Sequence, residues 1–313
     1  MTSRPRACHR GFTLVELLVV ITIIGILAGL ALVGIQSAVR AAQNAAMKIE
    51  VSQIAQALDL YKQQYGSYPP DGNTIALPTV AARENAFNNH LRKKFGQRNK
   101  ATDLFDPSTT AGQTYISDFA AATGMIRDGA GAANAYTIEA LDPTETYVLF
   151  LMGFSPDIEN PITGTGDRTP LFEFDQTRLT DEDDDGWWSF HPSYSEAEYV
   201  YFNSKTYEDS AGNVAEVDFT DPLIDGMAEG TARPYGTINA NGAFAWAEDG
   251  KFQLLCAGLD GDFGTYNDPD EMKMYWSGTA ESVAPASIAY TLEDFDNIVN
   301  FGEASTLESD TDL

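Results

Sequence analysis

The feature that most constrains this chain is a long apolar run near its N-terminus. The run extends from Phe12 to Ile35 over 24 residues and contains one charged side chain, Glu16. About 20 apolar residues are enough to cross a bilayer as a helix. Residues 1–11 contain three arginines and no acid, which predicts a cytoplasmic N-terminus. We therefore expect a single membrane-spanning segment at residues 12–35, with the rest of the chain on the far side of the membrane.

The start of the run distinguishes two kinds of leader. An ordinary secretory signal is shorter and ends in a small-x-small cleavage site, whereas the small-rich stretch A-G-L-A at residues 28–31 lies inside this run. The sequence R-G-F-T-L-V-E at residues 10–16 instead closely resembles the cleavage and methylation motif of type IV pilin-like proteins. The resemblance implies that a prepilin peptidase removes residues 1–11, cutting between Gly11 and Phe12, and methylates the new Phe12 amine.

Glu16 is unusual because it is an acid inside an apolar segment. A lone carboxylate in hydrocarbon costs several kcal/mol unless it is paired. The resemblance implies that Glu16 pairs with the N-terminal amine of a neighbouring subunit in a filament, which makes it an assembly residue. The alternative is a side chain that reaches out to the membrane surface.

The helix is expected to continue beyond the apolar run. Apolar residues follow at intervals of three and four, which places them on one helix face: Met47, Val51, Ile54, Leu58, Tyr61 and Tyr65. Gly66 and Pro69 predict that the helix ends at Tyr65. The domains expected are thus a leader (1–11), a membrane and polymerisation helix (12–35), its amphipathic extension (36–66), a periplasmic head (67–302) and an acidic tail (303–313).

A second resemblance concerns the end of this helix. The pattern L-Y-K…G-x-Y-P at residues 60–69 is similar to one in the major pseudopilin of type II secretion systems. The resemblance implies an α+β fold, in which the long N-terminal helix packs on an antiparallel β-sheet head, here with a large irregular insertion. Turn signals and apolar runs predict a helix from Asp142 to about Met152 and strands at 172–174, 199–202 and 252–257.

The charge balance narrows the range of partners. The chain has 46 acidic and 19 basic residues, a net charge of −27. This surface disfavours nucleic acid and suits solubility, basic partners or divalent cations. The cysteines are Cys8, in the leader, and Cys256, so no disulfide is expected within the mature chain.

A first candidate calcium site lies in the stretch C-A-G-L-D-G-D-F-G-T at residues 256–265. It resembles the calcium-binding loop of the major pseudopilins, which implies oxygen ligands from Asp260 and Asp262. An acidic segment should complete the ligand shell, and the later one, with Asp294, Asp296 and Asn297, matches better if residues 272–290 are an insertion. The earlier acids Asp268 and Asp270 are an alternative source of these ligands. The stretch could also be an acidic surface turn that binds no metal.

A second, weaker candidate is the stretch D-E-D-D-D-G at residues 181–186. Its alternating acids, Asp181, Asp183 and Asp185, match the first half of an EF-hand loop. The twelfth position is Pro192 instead of Glu, so a complete EF-hand is excluded. A calcium loop of another kind and a solvated acidic turn both remain open, and Trp187 is expected to anchor the turn to the core.

The sequence favours a structural protein over an enzyme. Of three histidines, one lies in the leader, and there is no H-E-x-x-H, G-x-S-x-G or P-loop pattern. The resemblances imply a pseudopilin that polymerises with copies of itself and other pseudopilins on an inner-membrane assembly platform. The alternatives are a type IV pilin and a membrane-anchored binding module with a prepilin leader.

Overall fold

The computed structural model of the chain describes residues 13–100, 102–103, 140–183, 185, 187–220, 228–238, 243–266, 272–275 and 291–310. The chain divides into two compact units, Met1–Gln43 and Asn44–Leu313. The described helices are α1 (Leu14–Tyr65), α2 (Val80–Lys94), α3 (Thr146–Leu151) and α4 (Leu307–Asp310). The helix α1 is 52 residues long and contributes residues to both units.

In the first unit, α1 exposes apolar side chains on all of its faces. These side chains are between 43% and 79% exposed: Leu14, Val15, Leu17, Leu18, Val19, Val20, Ile21, Ile23, Ile24, Ile26, Leu27, Ile35 and Val39. Among the described residues, no helix has the length and hydropathy that a membrane crossing requires.

In the second unit, α1 ends where the sequence predicts. Gly66 has φ +84° and its N–H donates to the Lys62 carbonyl at 2.7 Å, which closes the helix with a left-handed residue just past its end. The predicted stripe is the buried face of this part of the helix. Met47, Val51, Ile54 and Leu58 are fully buried. Their regular spacing is therefore core packing, as predicted.

The described strands are short. They are β1 (Leu179–Thr180), β2 (Ser189–Phe190), β3 (Val200–Asn203), β4 (Val217–Thr220), β5 (Ala228–Ala232), β6 (Gly236–Ile238), β7 (Phe244–Trp246), β8 (Phe252–Cys256) and β9 (Ile298–Val299). The strands β3, β8 and β9 form an antiparallel sheet in that order, and β1–β2, β4–β5 and β6–β7 form antiparallel pairs.

The three-stranded sheet has a core on each face. Tyr201 and Leu254 face each other across β3 and β8 and pack in the same cluster as the α1 stripe. Their neighbours Val200 and Leu255 pack in a second cluster on the opposite face, as alternation along a strand requires. The head is therefore an antiparallel sheet packed on a helix, which confirms the α+β fold.

Two expected elements differ from the structure. Residues 172–174 are not a strand, because Phe172 and Phe174 pack as rings against Phe190 in the core instead of pairing with a second backbone. The helix expected from Asp142 begins only at Thr146. The Asp142 carboxylate accepts hydrogen bonds from the N–H and hydroxyl of Thr144, which form a turn before the helix.

Candidate functional sites: the N-terminal motif and two acidic loops

The N-terminal motif begins α1 with a capping box. Thr13 N donates to Glu16 Oε2 at 2.9 Å, and Glu16 N donates to Thr13 Oγ1 at 3.2 Å. The T-x-x-E spacing is the sequence signal of this box, so Glu16 has a local role in addition to the one expected in assembly. Gly11 and Phe12, the predicted cleavage and methylation residues, lie outside the described residues.

The first acidic loop, residues 258–264 and called here the Asp260 loop, follows β8 and depends on its glycines. Gly258 and Gly264 have φ of +75° and +76°. A Cβ at Gly258 would come within 2.4 Å of the Asp296 carbonyl oxygen, and one at Gly264 within 2.4 Å of Asp294 Oδ2. The loop therefore lies directly against Asp294 and Asp296, the later of the two predicted acidic segments. Asp268 and Asp270, the earlier one, lie outside the described residues.

Asp260 and Asp296 lie side by side. Asp296 Oδ2 accepts hydrogen bonds from Leu259 N at 2.8 Å and Asp260 N at 3.2 Å. Partial burial of this surface residue, with the nearby Asp296 carboxylate, raises the pKa of Asp260 to about 7. The Asp262 carboxylate is bonded within the loop, because its Oδ1 accepts a hydrogen bond from Gly264 N at 2.7 Å.

Asp294 is engaged by a lysine of the same chain. Lys273 Nζ lies 2.8 Å from Asp294 Oδ1, and the two side chains are 1% and 0% exposed. The ammonium also donates to the carbonyl oxygen of Phe263, and Tyr235 OH donates to Asp294 Oδ1 at 3.0 Å. Backbone hydrogen bonds to Gly236 at the start of β6 hold the segment around Lys273 in place. Lys273 thus supplies the positive charge that we expected a calcium ion to supply at Asp294.

Two side-chain oxygens of the predicted calcium ligands have no hydrogen-bond partner. Asp296 Oδ1 and Asn297 Oδ1 are buried without a hydrogen-bond partner. The Asn297 amide nitrogen, however, donates to Tyr235 OH at 3.1 Å and to Phe263 O at 3.3 Å. The Asp260 loop therefore lies against Asp296 and Asp294, as predicted, but Asp294 is paired with the Lys273 ammonium.

The second acidic loop, residues 181–187 and called here the Asp181 loop, connects β1 to β2. Asp185 N donates to Asp183 Oδ1 at 3.3 Å, and Trp187 N donates to Asp185 Oδ1 at 2.8 Å. Trp187 is 1% exposed, so it anchors the turn to the core as predicted. One face of the loop borders a cavity of about 620 Å³ in the second unit.

The cavity wall is strongly acidic. Its carboxylates are Asp142, Glu145, Glu182, Asp183, Glu196, Glu198 and Asp218. The described lining includes one arginine, Arg178, whose Nη2 lies 2.5 Å from Glu50 Oε1 and whose guanidinium stacks on Phe190 at 4.4 Å. The arginine of the described cavity wall is therefore already paired with Glu50, a carboxylate of α1.

Two groups of side chains, formed by residues of the cavity wall and the adjacent Asp185, are close enough to share a metal ion. One consists of Glu145, Asp183 and Asp185, and the other of Glu182, His191 and Glu198; within each group the ligand atoms lie within 4.8 Å of one another. In the part of the chain that the structure describes, these are the sets of three or more acidic, histidine or cysteine side chains close enough to share an ion. Sequence reasoning found two members of the first group.

Two members of the second group, His191 and Glu198, already hydrogen-bond to hydroxyl groups. His191 Nε2 lies 2.5 Å from Thr180 Oγ1, and the Ser189 hydroxyl donates to Glu198 Oε1. Burial lowers the pKa of His191, which favours its neutral form. Burial raises the pKa of Glu198 to about 8.

In the first group, the pKa values of Glu145 and Asp185 are both strongly raised. Burial, with the neighbouring Asp142, raises the pKa of Glu145 to about 12. Burial, with the Asp183 carboxylate, raises the pKa of Asp185 to about 7. Each raised pKa means that, without a cation, the protonated form of the group is favoured over the carboxylate. Sequence reasoning missed Glu145 because it lies far from the loop along the chain, and only its place in an N-cap pattern was visible.

Comparison with known proteins identifies one region of the chain. A family model for the prokaryotic N-terminal methylation motif matches residues 6–32. The match supports a prepilin-like leader, and such a leader fits a subunit of the type IV pilin or pseudopilin kind and a membrane-anchored or exported protein. No curated protein and no solved structure matches the chain.

Proposed function

We propose that the chain is a structural pseudopilin subunit of a type II secretion system. The observation that carries the proposal is the methylation motif at residues 6–32. A prepilin peptidase would cut after Gly11, and the segment 12–35 would hold the subunit in the inner membrane with its head in the periplasm. Copies of the chain and other pseudopilins would then join on the assembly platform into a periplasmic fibre that drives protein export.

The exposed apolar surface of the first unit supports polymerisation. Apolar side chains such as Leu14, Ile24 and Ile26 are more than half exposed in the single chain. A long run of exposed apolar side chains marks a contact with lipid or with another protein. Gly25 and Gly29 have no atom within 4 Å of an added Cβ, so their small surface is free for a close helix neighbour.

Glu16 has a defined part in this scheme. In the single chain its carboxylate caps its own helix through Thr13. Cleavage would create an ammonium group at Phe12, and a neighbour's ammonium would offer Glu16 a stronger, charge-assisted partner than the Thr13 hydroxyl. On assembly, Glu16 would exchange the Thr13 hydroxyl for the ammonium group of a neighbouring subunit, and this pairing would fix the register between subunits.

The end of α1 favours a pseudopilin over a type IV pilin. The stretch at residues 60–69 that resembles the major pseudopilins holds the helix end on the sheet, because Tyr68 OH donates to Asp59 Oδ1 at 2.6 Å and the Tyr68 ring contacts Phe252 at 4.9 Å. The motif itself is shared with type IV pilins, so the two functions must be separated by experiment. Deletion of the gene should trap exported enzymes inside the cell; normal export with loss of surface fibres would support a pilin instead.

The leader assignment has a direct test. The substitution Gly11→Val should block cleavage, so the purified chain keeps residues 1–11 and N-terminal sequencing begins at Met1. The matched control is Gly25→Val, which adds the same side chain inside α1 where no atom lies within 4 Å of the new Cβ. The control should begin at Phe12, like the wild type. A wild-type protein that begins at Met1 would refute the proposal.

A further inference from the structure

The acidic cavity beside the Asp181 loop is lined by many more carboxyl groups than basic groups. Seven carboxylates line it, while the guanidinium of Arg178 is paired with Glu50. Buried carboxylates require a cation or hydrogen-bond donors, since their desolvation otherwise costs several kcal/mol. Some of these carboxyl groups accept hydrogen bonds, as Asp142 does from Thr144 and Glu198 does from Ser189. The described lining, however, offers them no arginine or lysine other than the paired Arg178.

We propose that Asp183, Asp185 and Glu145 bind a calcium ion at this cavity. Their ligand atoms lie within 4.8 Å of one another. Calcium–oxygen distances of 2.3–2.6 Å allow oxygens of one shell to lie up to about 5 Å apart, so one ion can contact all three side chains. The site would join the β1–β2 loop to the turn before α3.

Glu145 is the observation that separates this group from a solvated acidic turn. Its side chain is 3% exposed, so water cannot hydrate it freely. Among the described residues, the carboxylate accepts a hydrogen bond from Asp142 N to Oε2 at 3.2 Å, and no arginine or lysine pairs with it. Asp185 also has an oxygen, Oδ2, that is buried without a hydrogen-bond partner. A buried carboxyl group and an oxygen without a hydrogen-bond partner therefore belong to the same group of three side chains, as ligands of a cation do.

The local geometry orients the ligands in advance. The Asp142 turn, in which Thr144 N donates to Asp142 Oδ1 at 2.7 Å, places Glu145 at the start of α3. Backbone N–H groups of the loop hold Asp183 Oδ1 and Asp185 Oδ1, and Asp185 Oδ2 has no hydrogen-bond partner. Little side-chain freedom remains to be lost on binding.

The ligand chemistry favours calcium over a softer metal. The three side chains offer oxygen alone, which suits hard cations, and the D-x-D-x-D spacing is the one that calcium loops use. The EF-hand pattern fails here because its twelfth position is Pro192. Glu145 supplies that missing carboxylate from a distant part of the chain. The nearby histidine group is less suited, because His191 and Glu198 already hydrogen-bond to Thr180 and Ser189.

The test uses the full chain, purified in detergent and stripped with a chelator. Calcium is titrated by calorimetry, and thermal unfolding is recorded with and without calcium. We expect binding at micromolar to millimolar calcium and a higher unfolding temperature with the ion. The variant Asp183→Asn changes an exposed ligand and keeps the fold, and it should lower the calcium affinity at least tenfold. Glu145→Gln, which resembles the protonated acid, should do the same.

The matched control is Asp260→Asn, which removes the same charge from the other acidic loop. It should leave the calcium affinity and the calcium-induced rise in unfolding temperature unchanged. Loss of binding in Asp260→Asn but not in Asp183→Asn would overturn the proposal in favour of the Asp260 loop. So would a wild type that binds no calcium at millimolar concentration. A zinc response that His191→Ala abolishes, without a calcium response, would assign the cavity to the histidine group.

Discussion

The two acidic loops of this protein solve the same electrostatic problem in different ways. At the Asp260 loop, the chain itself supplies a buried cation, because Lys273 pairs with Asp294. At the Asp181 loop, the arginine of the cavity wall is paired elsewhere, with Glu50 of α1. The number of acids in a loop therefore does not determine whether it needs a metal. What matters is where the lysines and arginines of the folded chain are placed.

The largest expected effect concerns the cation of the Asp260 loop. Lys273→Met leaves the buried Asp294 unpaired, and the free energy of unfolding should fall by about 3–5 kcal/mol. The matched control is Lys251→Met, since Lys251 is 56% exposed and its pair with Glu248 is worth about 0–1 kcal/mol. Chemical denaturation of both variants measures the difference. Equal losses would show that Lys273 is not the cation on which this loop depends.

The same variant, Lys273→Met, also tests whether calcium can replace the ammonium group at the Asp260 loop. Asp296 Oδ1 and Asn297 Oδ1 are buried and open, so removal of the ammonium exposes an oxygen-lined position. Millimolar calcium should restore part of the stability that Lys273→Met loses. If calcium restores none of it, the Asp260 loop lacks the oxygens for an ion even without its lysine.

The second effect concerns the pH dependence of the cavity. The pKa of Glu198 in the folded protein is raised to about 8 by burial, and that of Glu145 is raised in the same direction. A carboxyl whose folded pKa exceeds its unfolded value stabilises the fold at low pH, and this contribution is lost as the pH rises through the folded pKa. The free energy of unfolding of the metal-free protein should therefore fall between about pH 5 and 8, by at most about 1.4 kcal/mol per pH unit and group.

The control for this pH dependence is Glu198→Gln. It removes one of the titrating groups and keeps the acceptor for Ser189, so the slope of stability against pH should become shallower. A stability that rises from pH 5 to 8 in the presence of a chelator would contradict the acidic cavity as described.

The third effect is smaller because Asp260 is exposed. Asp260→Asn removes the repulsion between Asp260 and Asp296 and keeps an oxygen to accept from Asp262 N. The free energy of unfolding should rise by up to about 0.5 kcal/mol, since water screens exposed charges. The measurement is denaturation without calcium. A clear loss of stability would mean that Asp260 has a partner that its charge requires.

The smallest effect concerns Cys256, at the end of β8 where the Asp260 loop begins. The thiol is fully buried, and burial raises its pKa to about 12. A thiol reagent should therefore leave Cys256 of the native wild type unmodified and react after unfolding. Faster labelling in Lys273→Met than in Lys251→Met would show that the loop opens when its cation is lost.

Local patterns predicted the parts of the fold that local interactions control. The spacing of Met47, Val51 and Ile54 identified the buried face of α1, and Gly66 identified its end, because both follow from helix geometry. The strands at β3 and β8 were visible as apolar runs with β propensity. The run at 172–174 had the same composition and failed as a strand, because a strand needs a partner backbone and these rings found an aromatic cluster instead.

The sequence by itself determined the prepilin-type leader, the long helix with its apolar and amphipathic halves, and two acidic loops of metal-ligand composition. Only the tertiary structure decided how each loop is neutralised. Lys273 reaches Asp294 through its place beside β6, and Glu145 reaches Asp183 through the turn before α3. The physical reason is that charges interact through space, whereas sequence patterns report neighbours along the chain.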